Sequence, residues 1–359
     1  MANENSTNGN YLDALLNSCP MPISDHKEIV LGHGSGGKLT HQLIQKMLLP
    51  QFQNEFLEPL HDGAIFSLNG TRVAFSTDSY VINPIFFPGG DIGRLAVHGT
   101  VNDLAMCGAQ PLYLSAGFIL EEGFAMEDLW RVVLSMQEAA KSAGVALVTG
   151  DTKVVDRGKG DKIFINTSGI GMIAPGVHIH PGRAQVGDKI IVNGPIAVHG
   201  IAIMSVREGL EFETQIASDT APLNDLVTKM LEASNEIHVL RDPTRGGVAS
   251  ALNEIAEKAN TGILIQEDRI PIREDVKGAC EILGLDPLYV ANEGKLLAFV
   301  PSKNAGKVLA AMRAQPLGKE ATIIGEVVDD HPRMVIMKTR VGGTRVVDML
   351  SGEQLPRIC

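Results

Sequence analysis

The sequence has few cysteines, no basic block and no long apolar run, and each absence excludes something. Cysteine occurs only at 19, 107, 280 and 359, with no Cys-x-x-Cys pair and no Cys/His cluster at zinc spacing. So few thiols in so long a chain make no disulfide framework, which suits a reducing cytoplasm. No stretch approaches the ~18 apolar residues of a membrane helix. Met1 to Asn10 has neither a cationic start nor an apolar run, so it reads as a disordered lead rather than a signal peptide. Lys and Arg number 31 against 42 Asp and Glu, a net charge of −11. Such a chain does not grip nucleic acid by charge, and a phosphate ligand would need metal ions or backbone N–H groups.

What is present is an ordinary globular composition, 44% apolar and 20% charged over 359 residues, enough for two domains. The 38 glycines follow no three-residue period and therefore mark loops, not collagen. A short strand is expected at 28–31, then a glycine-rich stretch, then a helix from Lys38 that Pro50 ends. Asn69-Gly70 between two apolar runs predicts a hairpin. Helices are expected at 91–107 and 126–143, the second closed by Gly144, with strands at 111–118, 145–148 and 162–173. Pro175 to Gly187 reads as a domain boundary. Beyond it, strands at 189–192, 263–266, 296–300, 322–328 and 334–338 alternate with helices at 196–208, 221–233, 246–259, 273–283 and 304–313. This alternation argues for an α/β or α+β architecture. The tail from Thr339 has little apolar periodicity and is expected to be flexible. Trp130 is expected in the core.

Gly32-x-Gly34-x-x-Gly37 matches a dinucleotide fingerprint, and Gly32-x4-Gly37-Lys38 nearly matches a P-loop. Both fit poorly. A Rossmann unit needs a parallel strand after the helix, whereas the next structure is an antiparallel hairpin. The P-loop needs Ser or Thr where Leu39 stands. A surface loop, or a flap whose N–H groups cover phosphates, fits better.

Asp62, Asp78, Asp103, Asp151 and Asp242 each lie beside Gly, Asn, Thr or Pro at the end of an expected element. Any one alone is a turn or cap residue. Brought together by the fold, they would repel a triphosphate unless magnesium bridged carboxylate and phosphate oxygens. Arg94, His98 and Asn102 share one helix face, either solvated or functional.

In order along the chain, the sequence carries His33-Gly34-Ser35-Gly36-Gly37, Asp62-Gly63-Ala64, Ser76-Thr77-Asp78-Ser79 and Asn102-Asp103-Leu104-Ala105. Gly150-Asp151-Thr152-Lys153 and Asp242-Pro243-Thr244-Arg245-Gly246-Gly247 follow. Together these resemble the ATP-binding superfamily of aminoimidazole ribonucleotide synthetase, selenophosphate synthetase and thiamin-monophosphate kinase. Asn292-Glu293-Gly294 and the ending Leu355-Pro356-Arg357-Ile358-Cys359 narrow the resemblance to the hydrogenase-maturation carbamoyl dehydratases, over roughly residues 28–359.

The resemblance implies an α+β, two-domain PurM-like fold and a homodimer whose N-terminal-domain strands form an interface barrel. The chain would divide into a lead at 1–27, a phosphate-covering segment at 28–50, an ATP-binding and dimerisation domain at 51–180, a C-terminal α/β domain at 181–338 and a tail at 339–359. ATP and Mg2+ are implied as cofactors. Gly34, Ser35, Gly36, Gly37, Asp62, Asp78, Asn102, Asp103, Asp151 and Asp242 would serve the nucleotide, and Asp62, Asp78, Asp103 and Asp242 the metal. Lys153, Glu293 and Cys359 would be catalytic. The implied partners are a HypF-type carbamoyltransferase, which loads a carbamoyl group onto Cys359, and a HypC–HypD complex. The HypC–HypD iron receives the cyano group once dehydration has produced a thiocyanate, with ADP and phosphate released. A terminal thiol suits this work, because about twenty extended residues reach about 65 Å and can visit two sites. A superfamily member acting on a free small molecule, or a nucleotide-gated scaffold, would leave Cys359 or Glu293 without a task.

Overall fold

The computed structural model describes residues 26–209, 215–351, 357 and 358. The lead up to residue 25 and Cys359 lie outside the described residues. Leu31–Gly34 makes a single 3-10 turn where a strand is expected, with the Val30 N–H donating to the His33 ring at 3.0 Å instead of to a neighbouring strand. Helix α1 (Lys38–Leu43) runs through a π turn, Ile44–Leu48, into α2 (Leu49–Phe52). Pro50 does not stop this path. It sits in the first turn of α2, where a missing N–H matters least.

The first domain follows. Strands β1 (Ala64–Leu68) and β2 (Thr71–Tyr80) pair across Asn69-Gly70, whose φ angles of 50° and 84° suit a tight hairpin. A short ribbon of β3 (Phe86–Phe87) and β4 (Gly90–Asp91) leads to α3 (Ile92–Met106), which Asp91 caps by accepting the Gly93 and Arg94 N–H groups. β5 (Ala109–Glu121), α3's neighbour α4 (Met126–Ala143), β6 (Ala146–Val155) and β7 (Ile163–Ile173) complete it. The sheet order is β1-β2-β7-β5-β6. Inward residues of this sheet, such as Leu114, Ile163 and Ile165, share an apolar cluster with Leu95 of α3 and Val132 and Met136 of α4. Trp130 is not in that core. It lies on the outer face of α4, 60% exposed, beside the exposed Met126. The face of the sheet away from α3 leaves Phe75, Tyr113, Ile119, Ile170 and Met172 exposed.

The second domain runs β8 (Lys189–Val192), α5 (Val198–Arg207), α6 (Asn224–Ala233), β9 (Val239–Arg241), α7 (Gly247–Ala259), β10 (Gly262–Gln266), α8 (Glu274–Leu283), β11 (Leu297–Val300), α9 (Ser302–Arg313), β12 (Thr322–Val328), β13 (Val335–Lys338) and β14 (Thr344–Val347). Its sheet order is β14-β13-β10-β12-β8-β11-β9, with β10 and β13 parallel and the remaining pairs antiparallel.

Two expectations change here. Thr344–Val347, expected within a flexible tail, is a strand, because its backbone completes a hairpin with β13 and buries Val347. Near the end of the chain Ile358 is 2% exposed, inside the cluster that also holds Tyr80, Phe87, Ile203 and Ala291.

The junction between the domains explains the polar stripe on α3. Leu104, Met106 and Ile173 pack in one cluster with Leu226, Met230 and Leu296 of the second domain. His98 and Asn102 are therefore buried. His98 Nδ1 lies 3.2 Å from Thr220 Oγ1, while the Asn102 amide donates to the Ala221 carbonyl (3.1 Å) and accepts the Leu223 N–H (2.8 Å). Asn102 thus pins one domain to the other and does not present its amide to a ligand. Replacing it (Asn102→Ala) strands two buried partners. Chemical denaturation should report a loss of about 2–3 kcal/mol, with an unchanged midpoint counting against the pin.

Candidate functional site

Three elements deliver a carboxylate each to the junction. Asp62 precedes β1, Asp103 sits in the last turn of α3, and Asp242 follows β9. One oxygen from each lies within 4.8 Å of the others. Ser76, which points inward from β2, brings its hydroxyl within 2.7 Å of the Asp103 carboxylate and 2.8 Å of the Asp62 carbonyl. Asp78, two residues on along the same face of β2, stands 3.7 Å from the Arg245 guanidinium.

This crowding has electrostatic consequences. Burial first, then repulsion from Asp242, Asp78 and Asp62, pushes the Asp103 carboxyl up. Burial, with Asp62 next, pushes Asp242 up to about 8, although Arg241 opposes it. Arg241 supplies the compensating charge. Burial disfavours its guanidinium, but Asp62 at 2.6 Å and Glu254 on its other nitrogen outweigh that and hold it charged. Asp62 keeps one buried oxygen without a hydrogen-bond partner. Three converging hard oxygen donors, one of them unsatisfied, fit a small divalent cation.

Glu293 lies beside this cluster. Asn292 laces its loop to the Asp242 loop, donating from both its backbone (3.2 Å) and its side chain (2.9 Å) to the Pro243 carbonyl. Gly294 keeps φ +68°, and a Cβ there would meet the Asp219 carbonyl at 2.5 Å. Glu293 is 3% exposed with one oxygen unpartnered. Burial, then Asp242 and Asp78, pushes its carboxyl up, against Arg245. Behind it Lys295 pairs with Asp219.

The glycine segment packs against the same loop. Gly36 has φ +74°, and a Cβ there would meet the Arg245 carbonyl at 2.7 Å. A Cβ at Gly37 would meet the Leu350 carbonyl at 2.4 Å, whereas Gly34 faces open space. The Ser35 hydroxyl donates back to the Gly32 carbonyl. The segment therefore borders the loop that follows Asp242.

Asp151 and Lys153 are not brought to this cluster within one chain. They lie on β6, at the end of the sheet order and three strand spacings, about 14 Å, from β2. Both are well exposed and pair with each other at 3.1 Å. The expected strand at 145–148 extends to Val155, so both residues stand on a strand edge and not in a loop. Cys359 lies outside the described residues. Sequence reasoning missed Arg241, Tyr80 and Lys295. Tyr80 is buried near Asp78, Asp103 and Glu293. The only sequence signal for Arg241 is its position beside Asp242.

This arrangement defines a two-domain protein with an acidic cleft at the domain junction, whose three carboxylates could hold a cation. The AIR synthase related protein models, N-terminal domain and C-terminal domain, match residues 60–173 and 185–337. The chain is 57% identical to the carbamoyl dehydratase HypE of Azotobacter vinelandii over 327 residues, 91% of this chain and 96% of that one. It also matches a crystal structure of HypE in complex with ATP at TM-score 0.78 and 51% identity, covering 92% of this chain and all of that one. A structure of a HypE–HypF complex matches at TM-score 0.82 and 49% identity, covering 86% and 99%. The chain belongs to the HypE family of carbamoyl dehydratases, whose role is in hydrogenase maturation. Its fold is the PurM-like one, and no helix among the described residues is long and apolar enough to cross a membrane.

The raised carboxyls set a pH dependence. Asp242 binds its proton more tightly folded, at about 8, than unfolded, near 3.8. Between those values the folded state holds the extra proton, so stability is full at low pH and is lost as pH rises through the window. Metal-free protein should therefore melt at a lower temperature at pH 8 than at pH 6, and Mg2+ should raise the melting temperature more at pH 8. Asp103→Asn should raise the metal-free melting temperature at pH 8 by a few degrees and weaken the Mg2+ effect. A Mg2+ effect independent of both pH and Asp103 would exclude the cluster as the metal site.

Proposed function

We propose that this protein is an ATP-dependent carbamoyl dehydratase acting on its own Cys359. The observation that carries the reading is the meeting of Asp62, Asp103 and Asp242 beside a buried, partly unsatisfied Glu293. The ATP-bound relative supports ATP as the substrate, and the HypF-bound relative supports a carbamoyltransferase as the donor partner.

Asp62, Asp103 and Asp242, with Asp78 adjoining, would hold Mg2+, which neutralises phosphate charge and lowers the repulsion around Glu293. Gly34 to Gly37 border the phosphates. The carbamoyl oxygen on Cys359 attacks the γ-phosphorus and the bond to ADP breaks. The nitrogen loses its two protons in turn and the phosphorylated oxygen departs as phosphate, leaving S–C≡N. Glu293 takes up a nitrogen proton. The acting form is its ionised carboxylate, whose affinity for that proton burial raises. The cyano group then passes to iron on a HypC–HypD complex in the cytoplasm.

Intact mass spectrometry tests this directly. Protein carbamoylated on Cys359 should lose one water on addition of Mg-ATP, and Glu293→Gln should slow that loss at least about 100-fold. Normal product from Glu293→Gln would favour a nucleotide-gated scaffold. A free small-molecule substrate would leave turnover intact in Cys359→Ser.

Lys153 enters this chemistry only from a second copy. The exposed Phe75, Tyr113, Ile119, Ile170 and Met172, and the exposed run of β6, form a face suited to a homodimer that brings the partner's β6 to the cleft. Mixed dimers of Lys153→Ala and Glu293→Gln should then regain up to about a quarter of wild-type rate, because one of their two sites carries both intact groups in half the molecules. No recovery on mixing, with subunit exchange demonstrated, would restrict each site to one chain.

A further inference from the structure

His199 is a buried imidazole that the proposed chemistry does not use. It is the second residue of α5, and its surface exposure is zero. Both ring nitrogens are engaged. Nε2 lies 3.0 Å from the carbonyl oxygen of Ile358, and Nδ1 lies 2.7 Å from Ser218 Oγ. A carbonyl only accepts, so Nε2 carries the proton and donates it. Burial holds the ring pKa down to about 4, so the imidazole is neutral and Nδ1 accepts the Ser218 hydroxyl. Ser218 Oγ in turn accepts the Thr220 N–H at 3.2 Å. The chain of donors runs one way, from the Thr220 backbone through Ser218 and His199 to the Ile358 carbonyl.

The residues before that carbonyl are held as specifically. Arg357 has φ +55°, a left-handed turn that an arginine adopts only when held. Its guanidinium pairs with Asp161 and donates to the Val81 carbonyl at 3.3 Å. Its carbonyl accepts from Arg207 and, at 3.4 Å, from the Asn83 N–H. The Ile358 side chain fills the cluster with Tyr80, Phe87 and Ala291. Charge, backbone polarity and an apolar side chain are thus all matched over two consecutive residues.

The socket is tied to the proposed base. At the start of α5 the Ala197 N–H donates to the Asn292 side chain (2.7 Å), and the Gly200 N–H donates to the Ala291 carbonyl (3.1 Å). Gly200 is obligatory, since a Cβ there would meet Val290 Cγ1 at 2.4 Å. The helix start that bears His199 is therefore bonded to the segment that bears Glu293.

We propose that His199 is the positioning residue of the C-terminal arm: its Nε2–H clamps the Ile358 carbonyl and so presents the next residue, Cys359, to the cleft that holds Glu293. This rests on the reading that Cys359 carries the reacting group. His199 itself touches no reacting atom.

The test uses the full-length protein and two substitutions. His199→Phe keeps the ring volume and removes the donor. His199→Gln keeps an N–H near the Nε2 position. In the uncarbamoylated protein, His199→Phe should speed alkylation of Cys359 by iodoacetamide about tenfold, and His199→Gln should stay within about threefold of wild type. In the carbamoylated protein at saturating Mg-ATP, His199→Phe should slow the first-order loss of water about tenfold without changing ATP affinity, with the same rescue by glutamine. Unchanged alkylation and dehydration in His199→Phe would overturn the clamp. A glutamine variant as impaired as phenylalanine would overturn the hydrogen bond as its basis. Should His199→Phe not fold, Ser218→Ala retains the ring but loses the hydroxyl that bonds Nδ1 and orients it, and the same two rates should move in the same directions. Absence of water loss in the wild type would instead defeat the dehydratase reading, while the alkylation rates would still decide the clamp.

Discussion

Everything at this junction depends on one unfavourable arrangement, the burial of several carboxylates beside one another. Asp62, Asp103 and Asp242 share a volume less than 5 Å across, with Asp78 and Glu293 close enough to perturb them. Left ionised together, they would repel strongly in so dry a place. The protein offsets this in two ways. Arg241 neutralises Asp62 and is shared with Glu254, and the remaining carboxyls retain protons that they would otherwise shed. The compensation is partial, since Asp62 keeps one buried oxygen without a hydrogen-bond partner. The two domains hold this arrangement in place.

The holding is done by apolar and polar contacts of different kinds. Leu104, Met106, Leu226 and Met230 supply area, which is forgiving of small shifts. Asn102, with both of its amide atoms engaged on Ala221 and Leu223, supplies registration, which is not. Since Asp103 is the next residue on α3, the pin that registers the domains also fixes the orientation of a carboxylate. Function and domain packing are adjacent on one helix turn.

Much of this was legible in the chain, for reasons that can be traced residue by residue. The helix Met126–Ala143 follows from its amphipathic period and from Gly144, which takes φ +70° as a helix terminator does. Asn69-Gly70 marks its hairpin because few other pairs accept two positive φ angles. Short elements whose order is tertiary escape such reading. The three-residue strand Val239–Arg241 has no alternation to detect, and the mostly exposed Thr344–Val347 resembles tail until β13 pairs with it. Trp130 suggests core as a large aromatic on a helix, but the apolar side of α4 lies elsewhere, at Val132, Met136 and Ala139. The aspartates could be recognised as candidates by their neighbours. That three of them meet, that Asn102 turns to the opposite domain, and that Lys153 stands three strands from Asp78 are properties of the assembled sheets, on which local spacing has no bearing. Arg241 escaped for the same reason, since its charge matters only beside carboxylates distant in sequence.

The start of α5 joins the two halves of the proposed chemistry. A flexible carrier gains reach at the expense of order, so its end must be recaptured before reaction. Capture here uses a neutral imidazole, which donates one directional hydrogen bond to a carbonyl without adding a charge near Lys295 or drawing on the carboxylates. A lysine or arginine in that position would add a second positive charge near Lys295, and would bind any carbonyl that approached. The Ile358 carbonyl fixes which nitrogen bears the proton, and the Ser218 hydroxyl satisfies the other. Because Asn292 bonds to both the Asp242 loop and the start of α5, displacement of the clamp relative to Glu293 would require breaking buried hydrogen bonds at both ends of that segment. The socket that receives Ile358 is thus bonded through Asn292 to the segments that bear Glu293 and Asp242.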